Sequence, residues 1–91
     1  MNNDTVISDY IQIDTTGNQL YFMLVESRAS PATDPLVIWL QGGPGCSSML
    51  ALFTEHGPYN WRYTPGGPSA QGTMEYNPFS WNTKANVMYV D

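Results

Sequence analysis

The residues of this chain that could do chemistry are concentrated in one stretch, Trp39-Leu40-Gln41-Gly42-Gly43-Pro44-Gly45-Cys46-Ser47-Ser48. Consecutive glycines let a backbone approach a ligand closely with its N–H groups unshielded. A turn of this kind that leaves a buried strand and enters a helix can offer those donors to an anion or a developing oxyanion. Glu55 adds a carboxyl near the end of the helix that follows. Nucleophiles and bases are scarcer, because Cys46 is the only cysteine and His56 the only histidine. A Cys46/His56 nucleophile–base pair therefore competes with a plainer reading, in which His56 sits favourably at a helix C-terminus. Ser47 or Ser48 reads more simply as a helix cap than as a nucleophile. The nearest approach to a Gly-x-Ser-x-Gly elbow, Gly67-Pro68-Ser69-Ala70-Gln71, ends in Gln.

The elements that must position this stretch follow an α/β pattern. Tyr10 to Asp14 and Gln19 to Glu26 flank the turn Thr15-Thr16-Gly17-Asn18, which predicts a β-hairpin. Leu20 to Val25 is apolar at every position, as for a strand covered on both faces. Leu36-Val37-Ile38-Trp39-Leu40 predicts a fully buried central strand. The glycine turn breaks it, and Met49, Leu50, Leu52 and Phe53 then share a helix that Gly57 and Pro58 terminate. Residues 59 to 80, rich in Pro and Gly, are expected to be a long loop. A last strand is expected over Asn86 to Val90.

Composition narrows the function classes. Ninety-one residues hold one small domain, and charged residues make up only 12 % of them. Three basic residues against eight acidic ones give a net charge of −5, the wrong sign for a phosphate backbone. Nucleic acid is thus excluded as a partner, and no basic patch exists for an anionic membrane. No apolar run approaches the roughly 20 residues of a membrane span. A single cysteine excludes an internal disulfide framework and a cysteine-rich zinc site. Met1 is followed by the polar Asn2, Asn3, Asp4 and Thr5 rather than by a signal segment. The apolar run Val87 to Val90 ends directly at Asp91, so the chain reads as a fragment, incomplete as a domain.

With its surroundings, the glycine stretch resembles the serine carboxypeptidase family, whose members carry Trp-Leu-Asn-Gly-Gly-Pro-Gly-Cys-Ser-Ser at this place. Leu20-Tyr21-Phe22 with Val25-Glu26-Ser27 is similar to that family's opening hairpin, and Asp34 to Leu40 to its approach strand. Phe53-Thr54-Glu55-His56-Gly57-Pro58, Asn77 to Asn82 and Ala85-Asn86-Val87 resemble the blocks that follow, in family order. The resemblance implies the N-terminal part of one α/β-hydrolase domain over residues 1–91. It also implies hydrolysis of the last peptide bond of peptides and proteins at acidic pH, with no cofactor and no metal.

By the same resemblance, the Gly43 backbone N–H is half of an oxyanion hole. Trp39, Gln41, Glu55 and the Gly42 N–H bind the substrate's terminal carboxylate. Glu55 must then be protonated, since one carboxyl can bind another only by donating a proton. Leu50 and Thr54 line the pocket for the last side chain, with a moderate apolar preference. Gln41 departs from the usual Asn and reaches one methylene further. Asp9 stands where the family usually has Gly. Cys46 would be half of a disulfide in a secreted parent, and the catalytic serine, aspartate and histidine lie beyond Asp91. The family location is lysosomal, vacuolar or secreted, and Asn3-Asp4-Thr5 is a glycosylation pattern for such a route. Alternatives are an acyltransferase or nitrile lyase on the same fold, or a non-catalytic truncated product or inactive paralogue.

Overall fold

The structure is a computed structural model and describes residues 4–64 and 71–91. Strands β1 (Val6–Gln12) and β2 (Gln19–Val25) form an antiparallel hairpin in which Val6 faces Val25 and Gln12 faces Gln19. Asp14 holds its turn. The carboxylate accepts from the Thr16 hydroxyl at 2.8 Å, the Thr16 N–H at 2.9 Å and the Asn18 amide at 2.7 Å. Those bonds, the Asn18 amide foremost, pull the exposed carboxyl down to a pKa of about 2.

Strands β3 (Leu36–Trp39) and β6 (Asn86–Val90) complete a four-stranded mixed sheet in the order β1-β2-β6-β3. β6 runs antiparallel to β2 and parallel to β3. A parallel neighbour needs a long crossover, and here it contains the short helix α1 (Met49–Thr54). It also holds a second hairpin, β4 (Tyr59–Thr64) with β5 (Gln71–Tyr76), and a 3-10 turn over Trp81–Thr83. The register decides what the helix covers. Val25 and Val37 both stand beside Val87, while Met23 and Trp39 stand beside Tyr89. These share one sheet face, and α1 covers it with Ala51 and Leu52; Val25, Val87, Tyr89, Ala51 and Leu52 form the buried core.

Three sequence expectations are corrected. Leu36 to Leu40 is not a buried central strand: β3 ends at Trp39 and lies at the sheet edge, with Ile38 56 % and Leu40 70 % exposed. A continuous apolar run shows that both faces can be covered, but α1 covers only one of them here. Leu20 to Val25 is likewise not covered throughout. Only Val25 is buried, and Leu20 is exposed. Residues 59 to 80 are not simply loop. Their Pro and Gly residues cluster at 65–68 between two strands whose aromatic residues pair across the ladder, Tyr59 beside Tyr76 with ring centroids 5.7 Å apart. Gly72 lies against the Trp61 ring in that ladder, and a Cβ there would push the ring aside. The Gly67 to Gln71 near-elbow lies outside the described residues except for Gln71, as does Asn3 of the glycosylation pattern. β6 spans the residues expected of the last strand.

Arg28 ties these parts together. Its guanidinium pairs with Asp4 at 2.9 and 3.2 Å and donates to the carbonyls of Asn77 at 2.8 Å and Pro58 at 3.3 Å. It also lies 4.4 Å from the centre of the Tyr76 ring. Asn82 adds donations to Asp4 at 2.8 Å and to the Glu26 carbonyl at 3.1 Å. Burial pushes the Asp4 carboxyl up, but the Arg28 and Asn82 hydrogen bonds and the Arg28 charge outweigh it and hold the group below its usual value.

Candidate functional site

β3 delivers Trp39 and Gln41 to the glycine turn. Side chains two residues apart on an extended segment lie on one side. The Trp39 indole N–H donates to the Gln41 side-chain oxygen at 2.9 Å. With its oxygen taken, the Gln41 amide has its NH2 group left to offer a ligand.

Ser48 locks this arrangement from the helix side. Its buried hydroxyl accepts from the Gln41 backbone N–H at 3.0 Å and donates to the Trp39 carbonyl at 3.2 Å. Ser48 occupies the N-cap position of α1 but makes no side-chain cap bond. The Ser47 hydroxyl instead accepts from the Met49 N–H at 3.1 Å. Of the two serines read as caps, Ser47 serves the helix start locally and Ser48 closes the glycine turn. The sequence shows only a pair of adjacent hydroxyls there, and the long-range contact decides between them.

Within the turn, Gly43 has φ +131° and Gly45 φ +85°. Side chains disfavour such φ values, and a Cβ on Gly43 would collide with the Cys46 sulfur. Gly42, Gly43 and Cys46 are all exposed, and Cys46 is a free thiol. Among the described residues, no hydrogen bond joins Cys46 to His56.

One groove lies at the turn and another against α1. The first, of about 350 Å³, is lined by Gln41, Gly45, Cys46 and Ser48 together with Leu20, Leu40, Val90 and Asp91. The other, of about 630 Å³, is almost wholly apolar. It lies between α1, which contributes Met49, Leu50, Phe53 and Thr54, and the second hairpin, which contributes Trp61 and Met74. Leu50 and Thr54 are thus brought together, and the Thr54 hydroxyl is engaged by the Leu50 carbonyl. Trp61 and Met74 were hidden from sequence reasoning by the reading of their segment as loop. The alternation of aromatic and polar residues over Tyr59 to Tyr63 was the available signal.

Glu55 is the exposed C-cap of α1, with its backbone N–H bonded to the Ala51 carbonyl at 3.1 Å. No hydrogen bond among the described residues joins its side chain to Trp39 or Gln41. Its neighbour His56 turns inward. The His56 ring stacks on Trp81 with centroids 4.0 Å apart and meets Trp39 edge to face at 4.6 Å. His56 Nδ1 lies 3.0 Å from the Tyr89 hydroxyl. Burial lowers the His56 pKa and, with the Glu55 charge, raises that of Tyr89. His56 thus follows the C-cap of α1, as expected of a helix-terminal residue, and its ring packs among Trp39, Trp81 and Tyr89.

Residues 2–91 match the family model described as Serine carboxypeptidase. The chain belongs to the serine carboxypeptidase family. It is 46 % identical over 86 residues to a serine carboxypeptidase family member of Dictyostelium discoideum, covering 93 % of this chain and 19 % of that protein. It is 48 % identical over 71 residues to the lysosomal protective protein of Mus musculus, covering 78 % of this chain and 14 % of that one. The crystal structure of a prohormone-processing carboxypeptidase from Saccharomyces cerevisiae matches 99 % of the chain with a TM-score of 0.64 and 24 % identity, over 19 % of its own length. This serine carboxypeptidase chain therefore has the mixed sheet and short helix of part of a carboxypeptidase fold, and spans under a fifth of the relatives it matches. Among its described residues, no helix is long and apolar enough to cross a membrane.

Proposed function

We propose that residues 1–91 are the N-terminal part of one α/β-hydrolase domain and supply the oxyanion and carboxylate-binding loop of a serine-type carboxypeptidase. In this reading the enzyme hydrolyses the C-terminal peptide bond of peptides and proteins at acidic pH. The observation that carries it is the Trp39–Gln41 side-chain bond at the lip of the glycine turn, which uses the amide oxygen and leaves the NH2 group as a donor for a ligand. A substrate's terminal carboxylate is the anion such a donor suits, with the Gly42 N–H and the Glu55 carboxyl as the further members of its anchor. The Gly43 N–H stabilises the oxyanion as the scissile carbonyl becomes tetrahedral. Leu50 and Thr54, in the apolar groove, receive the last side chain.

No Gly-x-Ser-x-Gly elbow occurs in these 91 residues, so the nucleophile, aspartate and histidine of the family come from residues outside them, and the chain alone is inactive. Cys46 forms a disulfide in the complete protein, whose location is lysosomal, vacuolar or secreted.

The test is made on a protein that joins this segment to the coding sequence following Asp91. It should cleave an N-acylated dipeptide with a free C-terminus and spare the corresponding amide. Gln41→Leu should raise KM by about tenfold, the loss of one hydrogen bond to a charged group. Gly43→Ala keeps the N–H but cannot hold φ +131° beside the Cys46 sulfur, so the donor is displaced and kcat should fall by about a hundredfold, as for a lost oxyanion donor. Equal cleavage of acid and amide would refute the carboxylate anchor.

A further inference from the structure

We infer that His56 is a positioning residue for the Trp39–Gln41 pair, the wall against which the indole is set so that its N–H points at the Gln41 oxygen. This deepens the function proposed above and rests on it for its significance, while its geometry stands independently. His56 is fixed from several directions. Its backbone N–H donates to the Ala51 carbonyl at 3.1 Å, and its carbonyl accepts from the Trp81 N–H at 2.9 Å and the Ser80 hydroxyl at 3.1 Å. Its ring is held by the Tyr89 hydroxyl at 3.0 Å and stacked on Trp81 at 14° between planes. Trp39 meets both rings of this stack edge to face, at 78° to His56 and 88° to Trp81.

Trp39 has two χ angles. The stack restrains the face of its indole, while the Gln41 bond holds only one atom of it. An aliphatic side chain at position 56 would remove the flat surface and let the indole turn, swinging the N–H away from Gln41. Phenylalanine would keep the surface and lose only the polar edge.

The polar edge adds a second consequence. His56 Nε2 is buried with no hydrogen-bond partner among the described residues, so a proton bound there finds no acceptor among them. The titratable groups facing the ring are Tyr89 from β6 and the adjacent Glu55 carboxyl from the end of α1; β3 and the 3-10 turn present the uncharged Trp39 and Trp81. Protonation of His56 must therefore be felt by Trp39, its direct ring neighbour.

The experiment follows the Trp39 indole N–H by NMR in the 91-residue chain, as wild type, His56→Leu and His56→Phe. Native backbone shifts of β6 confirm folding in each. In wild type, the indole resonance should move as pH falls below the ordinary histidine range. In His56→Phe that movement should vanish, with hydrogen exchange at the indole close to wild type. In His56→Leu, exchange should quicken by about tenfold, as expected for losing ring contacts. Wild-type exchange in a folded His56→Leu chain, or an indole that ignores pH in wild type, would overturn the inference. If His56→Leu does not fold, the pH response of His56→Phe against wild type decides. Titration with an N-acetylated dipeptide acid and its amide is scored separately. Equal binding of the two, with the indole results as expected, counts against the carboxylate reading and supports the positioning role.

Discussion

At the scale of single residues, the site is defined by what its side chains cannot also do. The Gln41 amide oxygen accepts from Trp39, so its NH2 group is the part of the amide that can donate outward. His56 has one ring nitrogen near Tyr89 and another with no partner among the described residues, so it is suited to packing and unsuited to carrying a proton. This has a stability consequence whose sign is fixed. Burial lowers the folded-state pKa below the ordinary 6.5, so between those two values the unfolded chain holds a proton that the folded one does not. Stability should fall as pH drops from about 6.5 through the lowered value. Urea denaturation at a series of pH values should show that decline in wild type and a flatter one in His56→Phe.

At the scale of elements, the helix and glycine turn act as one unit through Ser48. Replacing this serine with alanine removes the acceptor for the Gln41 N–H and the donor to the Trp39 carbonyl. Ser48→Ala should destabilise the fold by about 1–3 kcal/mol, the cost of leaving buried polar groups unpaired. Ser47→Ala should cost less than about 1 kcal/mol, because its hydroxyl serves only a local bond on a half-buried residue. Denaturant midpoints of the two variants, compared in one buffer, check the difference. The second hairpin is the element that turns a bare helix face into a groove, since Trp61 and Met74 stand opposite Leu50 and Thr54.

At the scale of the whole molecule, two features dominate. The Asp4–Arg28 pair is nearly closed to solvent, with side-chain exposures of 2 % and 15 %. It joins the start of β1 to the second hairpin and the 3-10 turn. Arg28→Met would strand the Asp4 carboxylate and should cost about 3 kcal/mol, read as a lower thermal midpoint. The Asp4 pKa is held below its ordinary value of 3.8. Its contribution is therefore complete above that value and lost as pH falls through the depressed one. The second feature is the sheet face opposite α1. The register puts Ile7, Ile11, Leu20, Leu36 and Ile38 on it, each at least 39 % exposed. Large exposed apolar patches drive association, as does an open strand edge such as β3. The chain on its own should run as an oligomer in size-exclusion chromatography coupled to light scattering. A monomer with sharp two-state unfolding would contradict that.

Much of this was legible in the residues alone. Local chemistry marked the first hairpin, because Asp14, Thr16, Gly17 and Asn18 can form their turn without help from the rest of the chain. The glycine turn and the limits of β6 were legible for the same reason, as were the residues that carry the family resemblance. Burial, pairing and long-range contact were not. An apolar run reads alike whether it lies at the centre of a sheet or at its edge, so the exposure of Leu36 and Ile38 follows only from which strand lies alongside. The β4–β5 hairpin was masked by the Pro and Gly residues that separate its strands. The role of Ser48 depends on a hydroxyl reaching back seven residues to Gln41, and that of His56 on rings brought in from positions 39, 81 and 89. Turns are closed by neighbours in sequence, whereas walls and locks are made by neighbours in space, and only the tertiary fold chooses those.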